Sequence, residues 1–191
     1  MTPKKAVLLL VLAVATAPAF GASDAESTLR EAMQEAVTVA NASPGGRALA
    51  DKLQPVLERH VCFESMTRRA IGPGWREFSP AQQDEATRLF TKLIIRSYSN
   101  KFTPGEEPEV KYLKGSSQGP DKIEIPTSML YKGSRYSIVY RMEKRGQWQI
   151  TDILAEGVSL IANYRAQFDE FFKRGGVDAV MQSLKKSVAG T

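Results

Sequence analysis

The spacing of the apolar residues changes twice along this chain, and that change restricts the fold more than any other feature. Apolar side chains recur every three to four residues up to about residue 102, alternate with polar ones between 109 and 155, and return to the wider spacing from Val158. The wider spacing is typical of amphipathic helices, and alternation is typical of strands with one buried face. Helices followed by a sheet and then by further helices predict the α+β class.

The alternating region divides into four predicted strands, over residues 109–114, 122–131, 135–144 and 147–155. The turns between the last three are short and contain glycine, which favours an antiparallel sheet because parallel neighbours need a long crossover. One face of this four-stranded sheet is predicted to be covered by the N- and C-terminal helices around an apolar cavity. The apolar face consists of Ile123, Ile125, Thr127, Met129, Tyr136, Ile138, Tyr140, Met142, Trp148 and Ile150.

The helical regions have recognisable ends. Ser79 and Gln82 have the spacing of a capping box, in which each side chain bonds the backbone of the other residue, and the helix that follows is expected to reach about Phe102. The C-terminal helical region is expected to divide at Gly175 and Gly176, because paired glycines interrupt a helix.

The N-terminus has the pattern of a secretory leader. Lys4 and Lys5 precede an apolar run over residues 6–15, and small residues follow. The run is too short for a bilayer, which takes roughly twenty apolar residues to cross. We therefore expect residues 1–21 to be a cleaved signal peptide, residues 22–191 to form a single lipid-binding domain, and the mature protein to lie in the periplasm. Loss of the leader lowers the formal charge from +5 to +3.

Catalytic and metal chemistry have little support in this sequence. His60 and Cys62 are the only residues of their kinds, so an intrachain disulfide is excluded and a zinc site would lack its usual ligands. Their spacing leaves open a thiol nucleophile beside its base, although no orienting carboxamide or glycine-rich turn accompanies them. The basic residues are scattered, and nucleic acid is not an expected partner of an exported protein.

Several motifs together resemble the MlaC family, also called the toluene-tolerance family. They are residues 63–72 (FESMTRRAIG), Trp75, residues 78–83 (FSPAQQ), residues 146–153 (GQWQITDI) and residues 156–168 (EGVSLIANYRAQF). The last is long and specific, and the resemblance extends over nearly the whole mature chain.

The resemblance implies a soluble periplasmic carrier and not an enzyme. It would hold the acyl chains of a phospholipid, or a hopanoid-type lipid, as cargo, with no cofactor. Its partners would be an inner-membrane ABC transporter with a membrane-anchored substrate-binding subunit, and an outer-membrane lipoprotein complex. Two alternatives stay open: a periplasmic enzyme acting on an apolar substrate, and a structural adaptor that binds no lipid.

The candidate lipid-contacting residues lie on the apolar faces of the central predicted elements. Tyrosines combine an apolar ring with a polar tip and suit the mouth of a cavity, whereas methionines repack easily around a ligand. We expect Arg165 to bond carboxylates such as Asp152 or Glu156. The candidates are Met66, Phe90, Ile94, Tyr98, Ile125, Met129, Ile138, Tyr140, Ile161, Tyr164 and Phe168.

Overall fold

The structure is a computed structural model that describes residues 20–99, 101, 103 and 105–190. Residues 1–19 of the predicted leader and Phe102 therefore lie outside the described residues. The elements are α1 (Phe20–Asn41), α2 (Gly46–His60), α3 (Phe63–Ile71), a 3₁₀ turn (Gly72–Glu77), α4 (Pro80–Ser99), β1 (Glu109–Tyr112), β2 (Ser116–Gly119), β3 (Lys122–Tyr131), β4 (Ser134–Arg145), β5 (Gln147–Ala155), β6 (Val158–Ser159) and α5 (Leu160–Ala189).

The predicted α+β class is confirmed, with an antiparallel sheet that follows α1–α4 in the sequence and precedes α5. The strand order is β1-β3-β4-β5-β6, and β2 also pairs with β3. The sheet therefore has six strands and not the four that were predicted. β2 was missed because its four residues are all exposed and carry no apolar alternation, and β6 because it is only two residues long.

The predicted helix boundaries hold where capping residues mark them. The Ser79 backbone N–H donates to Oε1 of Gln82 at 2.9 Å, and the Gln82 N–H donates to Oγ of Ser79 at 3.3 Å, which confirms the capping box at the start of α4. α5 is interrupted as expected, because Gly175 and Gly176 both have non-helical backbone angles.

A bulge in β5 reverses the faces of that strand. Arg141 of β4 is opposite Asp152, whereas the next residue, Met142, is opposite Ile150, so Thr151 is the additional residue on β5. Beyond the bulge Ile153 pairs with the buried Tyr140, and Asp152 shares a face with Arg141. The bulge therefore puts Ile153, and not the Asp152 carboxylate, on the inner apolar face of the sheet.

One hydrophobic cluster joins the helices to the inner face of the sheet, which is the face that carries Ile125 and Tyr140. α4 and α5 contribute large side chains to it, including Phe90 and Phe168. α1 differs, because most of its fully buried positions are alanine; they are Ala25, Leu29, Ala32 and Ala40. Alanine buries little area, so α1 is held against the body less strongly than α4 or α5.

Two glycines allow α5 to approach the turn that follows α3. A Cβ atom on Gly72 would lie 2.2 Å from Cζ of Arg165, and a Cβ on Gly74 would lie 2.6 Å from Cε2 of Phe172. Gly72 also has a φ of 75° and a ψ of −140°, which side chains other than that of glycine rarely adopt. A larger residue at either position would therefore require the Arg165 or Phe172 side chain to move.

Candidate functional site

The predicted lipid-contacting residues are largely brought together. Nine belong to, or pack against, the single hydrophobic cluster, whereas Tyr98 and Met129 lie outside it. These nine are Met66, Phe90, Ile94, Ile125, Ile138, Tyr140, Ile161, Tyr164 and Phe168. Their grouping is a property of the fold, and their role towards a lipid stays a prediction.

An aromatic group forms the centre of the helical side of this cluster. The ring centroids of Phe90 and Tyr164 are 5.0 Å apart with the rings nearly perpendicular, and those of Phe90 and Phe168 are 5.8 Å apart. Burial raises the pKa of Tyr164, and the nearby Tyr98 hydroxyl raises it further. Tyr164 thus packs against the fully buried Phe90, whereas Tyr98, near the end of α4, is 43% exposed.

The inner face of the sheet continues from this cluster into solvent. One row across the sheet pairs Thr127 with Ile138, Ile138 with Ala155, and Ala155 with Val158. Thr127 is buried, Ile138 is half-buried, and Val158 is 64% exposed. The inner face is therefore covered at one end of the sheet and open at the other.

The next row outward from Thr127 and Ile138 pairs Met129 with Tyr136. Tyr136 is 42% exposed, and Met129 is half-buried. We call the apolar surface formed by Met129, Tyr136, Ile138 and Val158 the open rim.

Deeper on the same face, Tyr140 contacts α1. Its side chain is buried, and its hydroxyl donates to the sulfur of Met33 at 3.6 Å. Burial raises the pKa of Tyr140, and the neighbouring Tyr112 adds to the rise, so the hydroxyl stays protonated. The Arg30 guanidinium lies 3.7 Å from the ring centroid of Tyr112. Met33 and Arg30 thus place α1 over the middle of the sheet.

Buried side chains of the hydrophobic cluster occupy the space between the helices and the inner face of the sheet. The two best-defined clefts of the described residues lie elsewhere. One, of about 310 Å³, runs between α2 and α4 and is lined by Asp51, Lys92 and Arg96 among others. The second, of about 230 Å³, lies between α1 and α2 beside Glu35. Acyl chains would therefore have to displace side chains from the interior.

Asp152 joins the sheet to the start of α5. Its carboxylate is buried and accepts hydrogen bonds from the Ser159 hydroxyl at 2.7 Å and the Ile161 N–H at 3.2 Å. It also accepts from its neighbour, the Ile153 N–H, and from the Arg141 guanidinium at 3.2 Å. A carboxylate at a helix N-terminus is stabilised by the unpaired N–H groups there. Asp152 therefore fixes where Ile161 and the following turn of α5 meet the sheet.

The expectation for Arg165 was wrong. Its guanidinium pairs with Asp169 at 3.2 Å, one helical turn further on, and donates to the Arg69 carbonyl at 3.1 Å. Asp152 and Glu156 are instead used by other donors, because Glu156 accepts from the Ser137 N–H at 2.6 Å. Arg165 thus binds α5 to α3 and not to the sheet.

The structure gives His60 and Cys62 separate surroundings. Nε2 of the buried His60 lies 3.3 Å from Oε2 of Glu35 on α1, and Arg59 donates to the same carboxylate at 2.5 Å. The Arg59 hydrogen bond is the main cause of a lowered pKa of Glu35. The backbone N–H of Cys62 bonds the Ile150 carbonyl at 2.9 Å. Within the described ranges no cluster of three or more potential metal ligands occurs, and no helix is both long and apolar enough to cross a bilayer.

Comparison with known proteins identifies both the fold and the family. The chain is similar to the phospholipid-binding protein from Ralstonia solanacearum, whose structure was determined in complex with a phospholipid. The TM-score is 0.81 at 24% sequence identity, and the match covers 87% of this chain and 98% of that one. The family model described as MlaC protein matches residues 28–186.

The fold is thus that of an α+β protein with helices over one face of an antiparallel sheet, in the class of lipid-binding carriers and not of enzymes. The chain belongs to the MlaC family.

The sequence pattern did not indicate every residue of the site. Met33 contacts the Tyr140 hydroxyl, and Tyr136 and Val158 form part of the open rim, yet none was a candidate. Tyr136 shares the parity of Ile138 and Tyr140 along β4, so strand alternation was a sufficient signal for it. Met33 and Val158 depend on how α1 and β6 lie against the sheet, which alternation does not reveal.

Proposed function

We propose that this chain is an exported periplasmic carrier that holds the acyl chains of a phospholipid between its sheet and its helices. It exchanges this cargo with an inner-membrane ABC transporter through a membrane-anchored substrate-binding subunit, and with an outer-membrane lipoprotein complex. A hopanoid-type lipid is the second candidate cargo. Residues 1–21 act as the export signal, and residues 22–191 form the carrier domain.

The observation that carries this proposal is the continuous apolar face of the sheet. It runs from buried Ile125 and Tyr140, through half-buried Ile138, to exposed Tyr136 and Val158. Large exposed apolar side chains that adjoin a buried core are typical of a ligand-binding surface. The open rim therefore supports a route along which an acyl chain moves inward over the sheet. The phospholipid bound by the similar Ralstonia protein agrees with this cargo.

The free energy of burying an acyl chain is large enough for a carrier whose interior is occupied by its own side chains when no lipid is bound. Burial of an acyl chain gains about 0.8 kcal/mol per methylene, so a chain of about sixteen carbons gains roughly 12 kcal/mol before other costs. Part of this gain is spent on displacing side chains and one helix. α1 suits that displacement, because its buried face is mainly alanine and its contact with Tyr140 is a flexible methionine.

The direct test is to purify the mature protein from bacterial periplasm without detergent and to identify co-extracted lipid by mass spectrometry. We expect phospholipid in near-stoichiometric amount. Protein that is folded and carries no lipid, and that takes none from vesicles, would contradict the proposal. Recovery of a polycyclic lipid in place of phospholipid would select the second candidate cargo.

A double variant at the only histidine and the only cysteine of the sequence distinguishes a lipid carrier from an enzyme. The double change His60→Ala and Cys62→Ala removes both candidate catalytic groups, and neither was selected as a lipid contact. We expect lipid transfer between vesicles to be unchanged once thermal stability is matched. Loss of transfer in a folded double variant would favour the enzyme alternative.

Partner exchange has its own test. We expect lipid-loaded protein to transfer its cargo to proteoliposomes that contain the ABC transporter with its membrane-anchored subunit, and transfer to be slower with protein-free liposomes. Equal rates in the two cases would contradict exchange with the transporter and leave lipid binding intact.

A further inference from the structure

The hydroxyl of Tyr140 is a buried donor with a poor acceptor. The side chain is 5% exposed, and the acceptor it contacts in the described part of the chain is the Met33 sulfur at 3.6 Å. A thioether sulfur accepts hydrogen bonds weakly compared with an oxygen. Most other buried hydroxyls here do better: Thr67 donates to the Phe63 carbonyl at 2.7 Å, and Thr127 to the Ile138 carbonyl at 3.0 Å. The protein itself thus satisfies the Tyr140 hydroxyl only weakly.

The position of Tyr140 is on the proposed path of the lipid. It lies on the inner face of β4, four residues further in than Tyr136 of the open rim. Four residues of a strand span about 13 Å. Cross-strand neighbours Ile125 and Ile153 surround it on this face with apolar side chains. A lipid that lies along the face with its headgroup at the rim brings its glycerol ester groups towards Tyr140, and its hydrocarbon chains beyond it.

Met33 is suited to give way at this position. It is half-buried on α1, and its side chain is unbranched and flexible, so it can leave the Tyr140 hydroxyl at small cost. An ester carbonyl that replaces the sulfur offers the hydroxyl a stronger acceptor. The exchange therefore favours the lipid-bound arrangement over the filled one.

We propose that Tyr140 recognises the cargo by donating a hydrogen bond to an ester carbonyl of its glycerol backbone, with Met33 occupying that place when no lipid is bound. The proposal rests on the proposed function and specifies which chemical group of the lipid the site reads. It follows that Tyr140 discriminates acyl esters from lipids of the same shape that have no carbonyl at this depth. A hydrocarbon polycycle lacks such a group and gains nothing from Tyr140.

A second buried donor does not compete for this role. The Trp148 indole N–H has no acceptor among the described residues. Trp148 pairs with Lys144, eight residues along β4 from Tyr136, so it lies about 27 Å from the open rim. That distance places it beside the ends of the acyl chains, where a phospholipid has no polar atoms.

The test compares two phospholipids that differ only in the linkage, a diacyl ester and the dialkyl ether of equal chain length and headgroup, on wild-type protein and on Tyr140→Phe. We expect wild-type protein to bind the ester more tightly than the ether, by about threefold to tenfold, the usual contribution of one hydrogen bond. In Tyr140→Phe the two affinities should become equal through loss of ester affinity. Thermal unfolding of the lipid-free variant should match that of wild type, because only a weak sulfur contact is lost.

The matched control is Tyr131→Phe, which removes a hydroxyl that accepts from the Thr103 backbone N–H at 2.9 Å, outside the residues assigned to the lipid path, and should leave the ester preference unchanged. An ester preference that persists in Tyr140→Phe, or that is absent from wild type, would overturn the assignment of Tyr140 and leave lipid carriage standing. Wild-type protein that binds neither lipid would overturn the proposed function, and this inference with it.

Discussion

Replacement of Gly72 by alanine should destabilise the protein through two separable effects. The first is backbone strain, because alanine must adopt the φ of 75° and ψ of −140° found at this position. Such conformations cost about 1–3 kcal/mol in residues other than glycine. The second is a collision, because the new methyl group would lie 2.2 Å from Cζ of Arg165 and 2.4 Å from its Nη1.

The collision has a cost that follows from what Arg165 binds. To make room, the guanidinium must leave the Arg69 carbonyl, to which it donates at 3.1 Å, and weaken its pair with Asp169. The side chain is 37% exposed, so water replaces part of the lost interaction and we assign it only about 0.5–1 kcal/mol. Together the two effects predict a loss of about 1.5–4 kcal/mol in the free energy of unfolding.

The assay is urea unfolding followed by circular dichroism, with two reference variants. Gly133→Ala shares the φ of 75°, but nothing lies within 4 Å of its Cβ, so it measures the effect of positive φ in an open turn. Gly72→Ala in an Arg165→Ala background removes the collision and leaves the strain. We expect Gly72→Ala to lose more stability than Gly133→Ala, and the difference to shrink in the double variant. Equal losses for the two glycines would refute the close approach of α5 to this turn.

Three further predictions concern the carboxylates and the proposed lipid path. Asp152→Asn should lower the free energy of unfolding by about 2–3 kcal/mol, because a carboxamide nitrogen cannot accept hydrogen bonds from Ser159 or Arg141. The control Asp169→Asn, on the exposed side of α5, should lower it by under about 1 kcal/mol in the same urea titration. Similar losses in the two variants would contradict the role of Asp152 in holding α5. Burial acts to raise the pKa of Glu143, but the hydrogen bond from Arg69 and the charges of Lys122 and Arg145 outweigh burial, so the pKa is lowered. The ionised Glu143 therefore stabilises the folded protein above the ordinary glutamate pKa of about 4.3, and this stabilisation is lost as the pH falls through the lower pKa of the folded state. The free energy of unfolding, measured from roughly pH 6 to roughly pH 3, should thus depend less steeply on pH in Glu143→Gln than in wild type. An unchanged pH profile would count against this stabilisation of the Glu143 carboxylate. Ile161→Trp and Tyr98→Trp should each lower lipid occupancy measured by mass spectrometry while the far-ultraviolet circular dichroism spectrum is retained; wild-type occupancy in both would show that the lipid does not pass these residues.

Sequence periodicity was sufficient for the class of fold and for most of the buried face. Alternation along β3 and β4 predicts which side chains point inward, and burial of Ile123, Ile125 and Met142 agrees. The capping box at Ser79 also has a purely local cause, so it was readable before any tertiary structure.

Periodicity failed where a long-range contact decides the structure. The bulge at Thr151 is visible only in the pairing of β5 with β4, and the partners of Arg165 depend on how α3 and α5 cross. The filled interior was equally hidden, because a packed core and a lined cavity use the same residue types.

The extra residue in β5 also limits how this part of the chain can vary in length. Insertion of one further residue beside Thr151, with a bulge of the same size, would place Asp152 opposite Tyr140, inside the apolar face, while Ile153 would turn outward. Such an insertion would thus exchange an isoleucine for a charge under α1 and detach α5 from its anchor. Deletion of Thr151 would instead leave Asp152 opposite Arg141 and Ile153 opposite Tyr140, so we expect this point of the strand to tolerate the loss of a residue better than the gain of one.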